Sequence, residues 1–230
     1  MEVENKATFK IDDSTVAKTP GNLKVSFVRW FFLKPVWPLI WFTLMLVVFY
    51  LSIEKSLFYF FLFGLLAGMN FLYWKRLKEH FAVGCANPAK IIQLNPTLIA
   101  VKTDLRTGYD LPHCHSIMIM KVRLPKDQRT RLKLHDRLPT VSLYSGAMGK
   151  DRWRDFDPIP AFLVTNNLEA IDALESRIEK EEWDSLDDWY SKVPTPKTVG
   201  LYAFDQGPNN PRGATQDPPE YKNEKDSPWV

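Results

Sequence analysis

The sequence predicts an α+β membrane protein: a two-helix transmembrane hairpin, then a small OB-like β-barrel with two C-terminal helices. Three observations point there. Two apolar runs without a charged residue, 35–53 and 56–74, are separated only by Glu54 and Lys55. From residue 87 to 165, short runs rich in β-branched residues alternate with turn-forming residues. From Leu168 onward the apolar spacing changes to helical intervals.

Each apolar run is close to the roughly 20 residues that a helix needs to cross a bilayer core. Trp37 and Trp41 stand near the start of the first run, and Tyr73 and Trp74 close the second. Such rings favour the headgroup level. A backbone crossing lipid must satisfy its own hydrogen bonds, so both runs are expected as helices. Lys24, Arg29 and Lys34 precede the first run, and Lys75, Arg76 and Lys78 follow the second. Cytoplasmic flanks collect Lys and Arg. The expected location is therefore the plasma (inner) membrane, multi-pass, with both termini cytoplasmic. Gly64 and Gly68, four residues apart, suit close helix packing, either against the chain's own first span or in a homodimer.

The expected organisation is a disordered tail over 1–23, an interfacial helix and hairpin over 24–80, a cytoplasmic β-barrel with helices over 87–204, and a disordered tail over 207–230. Within the barrel, strands are expected at 90–94, 98–103, 116–124, 138–144 and 161–165. Asn95-Pro96, Thr107-Gly108 and Pro125 punctuate them. Leu168, Ile171, Leu174 and Ile178 mark one helix, with Asn166 or Asn167 as its cap. Trp183, Leu186, Trp189 and Tyr190 mark a second, stopped by Val193-Pro194. An extended run over 200–204 docks on the barrel.

The net charge of +3 is too small to imply nucleic acid as a partner. Its distribution says more. Residues 121–137 hold seven basic and two acidic side chains, whereas 168–192 hold nine acidic and three basic. The basic zone, with Arg129, Arg131 and Lys133, is expected to face either an anionic leaflet or a protein partner. The two cysteines, Cys85 and Cys114, suggest no disulfide framework.

His113 and His115 are candidate metal ligands, since alternate residues of a strand share a face. Zinc needs three or four converging donors, so His80, Cys85 or His135 would have to join them. Asp155 and Asp157 can hold a divalent ion, but Asp-Pro sequences more often build turns. Trp153 and Phe156 are expected either to plug the barrel end or to form a contact rim. No Walker sequence, G-x-G-x-x-G or G-x-S-x-G is present, so nucleotide binding and serine hydrolysis lack a signature. Ordinary structural roles fit every one of these residues, and no cofactor is expected.

The stretches Pro139-Thr-Val-Ser-Leu-Tyr144, Gly149-Lys-Asp-Arg-Trp153, Phe156-Asp-Pro158 with Pro160, and Gly200-Leu-Tyr202 carry a resemblance. They resemble a bacterial domain-of-unknown-function family of two-span membrane proteins with a small β-barrel domain. The resemblance spans roughly residues 35–204 and implies a fold and a membrane location, without an activity. The functional expectation is a membrane-tethered cytoplasmic interaction module, with the lipid bilayer and a protein as partners. The alternatives are a small metal-dependent hydrolase and an adaptor for anionic lipid.

Overall fold

A computed structural model of the chain describes residues 19–54, 57–107, 111–124, 128, 131–145 and 152–205. Most of both expected tails lies outside these residues. Three helices come first: α1 (Phe27–Leu33), α2 (Val36–Glu54) and α3 (Leu57–Val83). Ser26 caps α1, its hydroxyl accepting from the Arg29 N–H. Helix α2 has no polar face, and its Val36–Ile53 stretch is long and apolar enough to cross a membrane. Phe42, Val47 and Tyr50 are all more than half exposed. It touches α3 where Phe49 meets Phe63 and where the Asn70 amide reaches Met45 Sδ.

Helix α3 does not stop at the end of its apolar stretch. It continues through Lys75–Val83 and inserts Leu77 and Phe81 into the protein core. Burying two such side chains contributes roughly 1.5–3 kcal/mol each. The N-terminal segment runs beside the end of this helix. Gly21 N–H donates to Gly84 O at 2.8 Å, and Leu23 N–H to Phe81 O at 2.9 Å. Trp30 of α1 is 1% exposed, and its indole N–H donates to the Tyr73 hydroxyl at 2.8 Å. The Arg29 guanidinium donates to Phe162 O. The boundary expected between 80 and 87 is therefore a packed junction.

The remainder is a curled six-stranded antiparallel sheet: β1 (Cys85–Leu94), β2 (Thr97–Asp104), β3 (Cys114–Lys121), β4 (Arg137–Ser145), β5 (Asp155–Pro160) and β6 (Gly200–Asp205). The order across it is β5-β4-β1-β2-β3-β6. The sheet is a half-barrel, which agrees with the expected small OB-like barrel only in its coarse outline. Among the described residues β5 and β6 form its two edges and do not pair with each other.

Two elements differ from expectation for identifiable reasons. The stretch 155–158 is expected as a turn because of its two aspartates and Pro158. It belongs instead to residues 155–160, which form β5, and proline is tolerated at a sheet edge. The strand expected at 161–165 is instead a single buried helical turn, α4 (Ala161–Val164), closed by the Thr165 N–H bonding Ala161 O. Its β-branched and aromatic residues mark burial, which short apolar runs signal more reliably than strand conformation.

The two amphipathic helices are present as α5 (Leu168–Arg177), capped by Asn167, and α6 (Lys180–Ser191). Helix α6 lies across β1, β2 and β3 and buries Trp183, Leu186 and Trp189. Its acidic residues meet basic residues of the sheet. Lys102 pairs with Glu182, Lys90 with Asp187, and Arg137 with Asp184 at 4.0 Å. Arg137 also stacks over Trp183 and Lys90 over Tyr190. Part of the basic zone read from the sequence is thus matched by the chain's own acidic helix.

Candidate functional site

The residues with most chemical potential collect where β2 ends and β3 begins. Asp104, the last residue of β2, lies directly opposite His115. Opposed residues of an antiparallel pair share a face, and His113 precedes His115 by one pleat repeat. The two imidazoles stack at 5.2 Å, 8° from parallel. Ligand atoms of Asp104, His113 and His115 all lie within 4.8 Å of one another.

Hydrogen bonds fix the carboxylate. Asp104 Oδ1 accepts from the backbone N–H of Cys114 at 3.0 Å and of Arg106 at 3.2 Å. Its Oδ2 accepts from His113 Nδ1 at 2.7 Å and faces Arg106 Nε at 3.1 Å. Burial pushes the Asp104 carboxyl up, but the donors on His113, Cys114 and Arg106 outweigh it and hold the group below the usual carboxylate range. Burial, reinforced by the Lys102 ammonium, lowers the His115 pKa and keeps its ring neutral at physiological pH. His115 packs on Trp189 at 4.7 Å, and Trp189 packs on Phe204 at 5.3 Å. His115 Nδ1 is buried and has no hydrogen-bond partner among the described residues. Two imidazoles and one carboxylate converging in this way form a donor set suited to a first-row metal ion.

Of the partners the sequence suggested for His113 and His115, none joins them among the described residues. His80 is buried at the end of α3, Cys85 begins β1 beside β4, and His135 sits in the loop before β4 with φ 71°. Asp104 takes their place. Sequence reasoning missed it because the pairing register of β2 and β3 decides the match, and register is not written in residue spacing.

The other candidates separate. Phe156 is 2% exposed and stacks on Tyr144 at 5.9 Å, so it is a core residue; of its two expected places, such burial suits the barrel-end plug and not the contact rim. Trp153 is half-buried against the core, and its backbone N–H donates to Leu105 O at 2.7 Å. Arg131 and Lys133 are exposed. Arg129 and residues 146–151 lie outside the described residues. Asp157 is on β5 and shares a crevice with Arg76 and His80. Burial raises its carboxyl pKa, an effect offset in part by the Lys34 ammonium. The Asp155 side chain is not among those described. A Cβ placed on Gly64 or Gly68 would meet nothing within 4 Å, so these glycines do not pack against α2 as one sequence reading had it.

Fold and site together define a mixed helix-and-strand protein, with a half-barrel bearing a His/Asp cluster and, among the described residues, one helix apolar enough to span a membrane. The chain belongs to the DUF3239 family, described as a protein of unknown function, whose family model matches residues 74–193. A similar solved structure is that of "a putative membrane protein" from Corynebacterium diphtheriae. It is 22% identical, with 50% of this chain and 97% of that chain covered and a TM-score of 0.41. No curated protein matches the chain.

Proposed function

We propose that the chain is a membrane-anchored interaction module whose half-barrel is mounted rigidly at the cytoplasmic face and docks a protein partner. The observation that carries this reading is the continuity of α3. Its 27 residues extend about 40 Å, more than the roughly 30 Å of a bilayer core. The first part exposes Phe58, Phe61 and Phe71, each at least 65%, whereas Leu77 and Phe81 near its end are buried in the domain.

A second crossing by the stretch ending at Trp74 accounts for the exposed phenylalanines. The contacts of Phe49 with Phe63 and of Met45 with Asn70 run in opposite senses along the two helices, which supports an antiparallel hairpin. Lys and Arg outside each apolar stretch favour cytoplasmic termini. The exposed Lys121, Arg123, Arg131 and Lys133 sit near the far end of β1 from α3, roughly 30 Å along that strand. This distance from the anchor favours an acidic protein surface over the leaflet as their partner.

Carbonate washing of membranes, followed by protease treatment of intact spheroplasts, tests the reading. The protein is expected to stay in the pellet, with its C-terminal part protected. Release by carbonate, or clipping of the C-terminal part from outside, would contradict it.

A further inference from the structure

We propose that Asp104, His113 and His115 form a binding site for a divalent first-row metal ion, Zn2+ by donor type. This goes beyond the anchoring role and does not depend on it. Three observations carry it. Asp104 and His115 face each other across two hydrogen-bonded strands in fixed register, and His113, just before β3, is held to them by its bond to Asp104 Oδ2 and its stacking on His115, so the three donors stand together before any ion arrives. The Asp104 carboxylate is oriented by two backbone N–H groups on Oδ1, which leaves Oδ2 turned toward His113 and Arg106. The His115 ring is pinned by Trp189 and carries a buried nitrogen, Nδ1, that has no hydrogen-bond partner among the described residues. Buried polar atoms without partners are uncommon and call for an explanation, of which a bound ion is one.

The resulting two-imidazole, one-carboxylate set leaves at least one coordination position for water. Arg106 is the competitor. Its Nε lies 3.1 Å from Asp104 Oδ2, and its Nη1 lies 3.4 Å from His113 Nε2. In the absence of metal the guanidinium supplies the positive charge that the carboxylate needs. An arriving ion takes over Oδ2 and displaces both the Arg106 contact and the His113 hydrogen bond. No redox change is involved; His113 coordinates through whichever nitrogen does not carry its proton. Arg106 therefore sets the affinity, because it must give way for the site to fill.

The test uses the full-length chain in detergent, purified without a histidine tag. Zn2+ binding is followed by calorimetry, and Co2+ binding by its visible ligand-field bands. Wild-type protein is expected to bind one ion per chain. His113→Ala, at a half-exposed position that packing does not require, is expected to keep the fold and weaken binding about tenfold or more. Asp104→Asn should do the same if its circular dichroism is unchanged. Arg106→Gln is expected to tighten binding several-fold, an outcome that a merely structural role for the cluster would not produce. Failure of the wild-type chain to bind either ion would overturn the proposal. So would one-to-one binding that His113→Ala leaves unchanged, since the ion would then lie elsewhere.

Discussion

Lys102 of β2 and Glu182 of α6 join the sheet to its covering helix through an ion pair in which the lysine side chain is 4% exposed and the glutamate 43%. The asymmetry matters. The ammonium has given up its water and relies on the carboxylate, whereas Glu182 stays partly hydrated. Removing one partner of such a pair leaves a buried charge uncompensated, which costs more than the pair contributes when intact.

Glu182→Ala is therefore expected to destabilise the protein by about 2 kcal/mol, a fall of roughly 4–8 °C in melting temperature. Asp187→Ala serves as the comparison. Its carboxylate is 64% exposed, and Lys90 retains the Tyr190 ring at 4.2 Å, so a loss of under about 1 kcal/mol is expected. Thermal melts of both variants in detergent decide the matter.

The junction between α3 and β1 has no room for a side chain at Gly84. A Cβ there would lie 2.4 Å from His80 O, 2.9 Å from Val141 Cγ1 and 3.0 Å from Ser142 O. Gly84→Ala is expected to cost about 1–3 kcal/mol through overpacking against backbone that cannot retreat. Gly64→Ala, which meets nothing, is expected to leave the melting temperature unchanged or slightly raised. Equal losses from the two substitutions would contradict the packed junction.

His80, near the end of α3, titrates abnormally. Burial pushes its pKa down to about 4, the Lys34 and Arg76 charges acting in the same direction and a hydrogen bond to the Val141 backbone opposing them. The unfolded chain takes up this proton near pH 6.5, before the folded one does. The His80 contribution is thus fully present above about pH 6.5 and is lost as pH falls toward 4, by up to about 3 kcal/mol. Asp157, in the same crevice, acts in the opposite sense because its folded pKa is raised. The contribution of His80 is therefore read as the difference between wild type and His80→Gln. The variant is expected to lose less melting temperature between about pH 7.5 and about pH 5. Parallel losses in the two proteins would count against a neutral buried imidazole.

The sequence disclosed what depends on local chemistry. The charge-free Val36–Ile53 stretch, the Asn167 cap and the helical spacing of Trp183, Leu186 and Trp189 all correspond to elements in place. It concealed what depends on pairing. The proximity of Asp104 to His115 follows from strand register. The opening between β5 and β6 follows from sheet order, which turn residues do not encode. It also misled at Pro158, where proline marks a sheet edge as readily as a turn. The union of basic sheet and acidic helix falls between these cases. Both charge zones were visible, but that Arg137 meets Asp184 required the packing of α6.

The central claim is that α3 runs unbroken from the bilayer into the domain, and a nitroxide scan along 58–83 in liposomes tests it most directly. Labels over 58–72 should be accessible to oxygen and shielded from aqueous nickel, with accessibility crossing over near Trp74 and immobilised spectra at 77 and 81. Nickel-accessible, mobile labels throughout 58–72 would contradict the account.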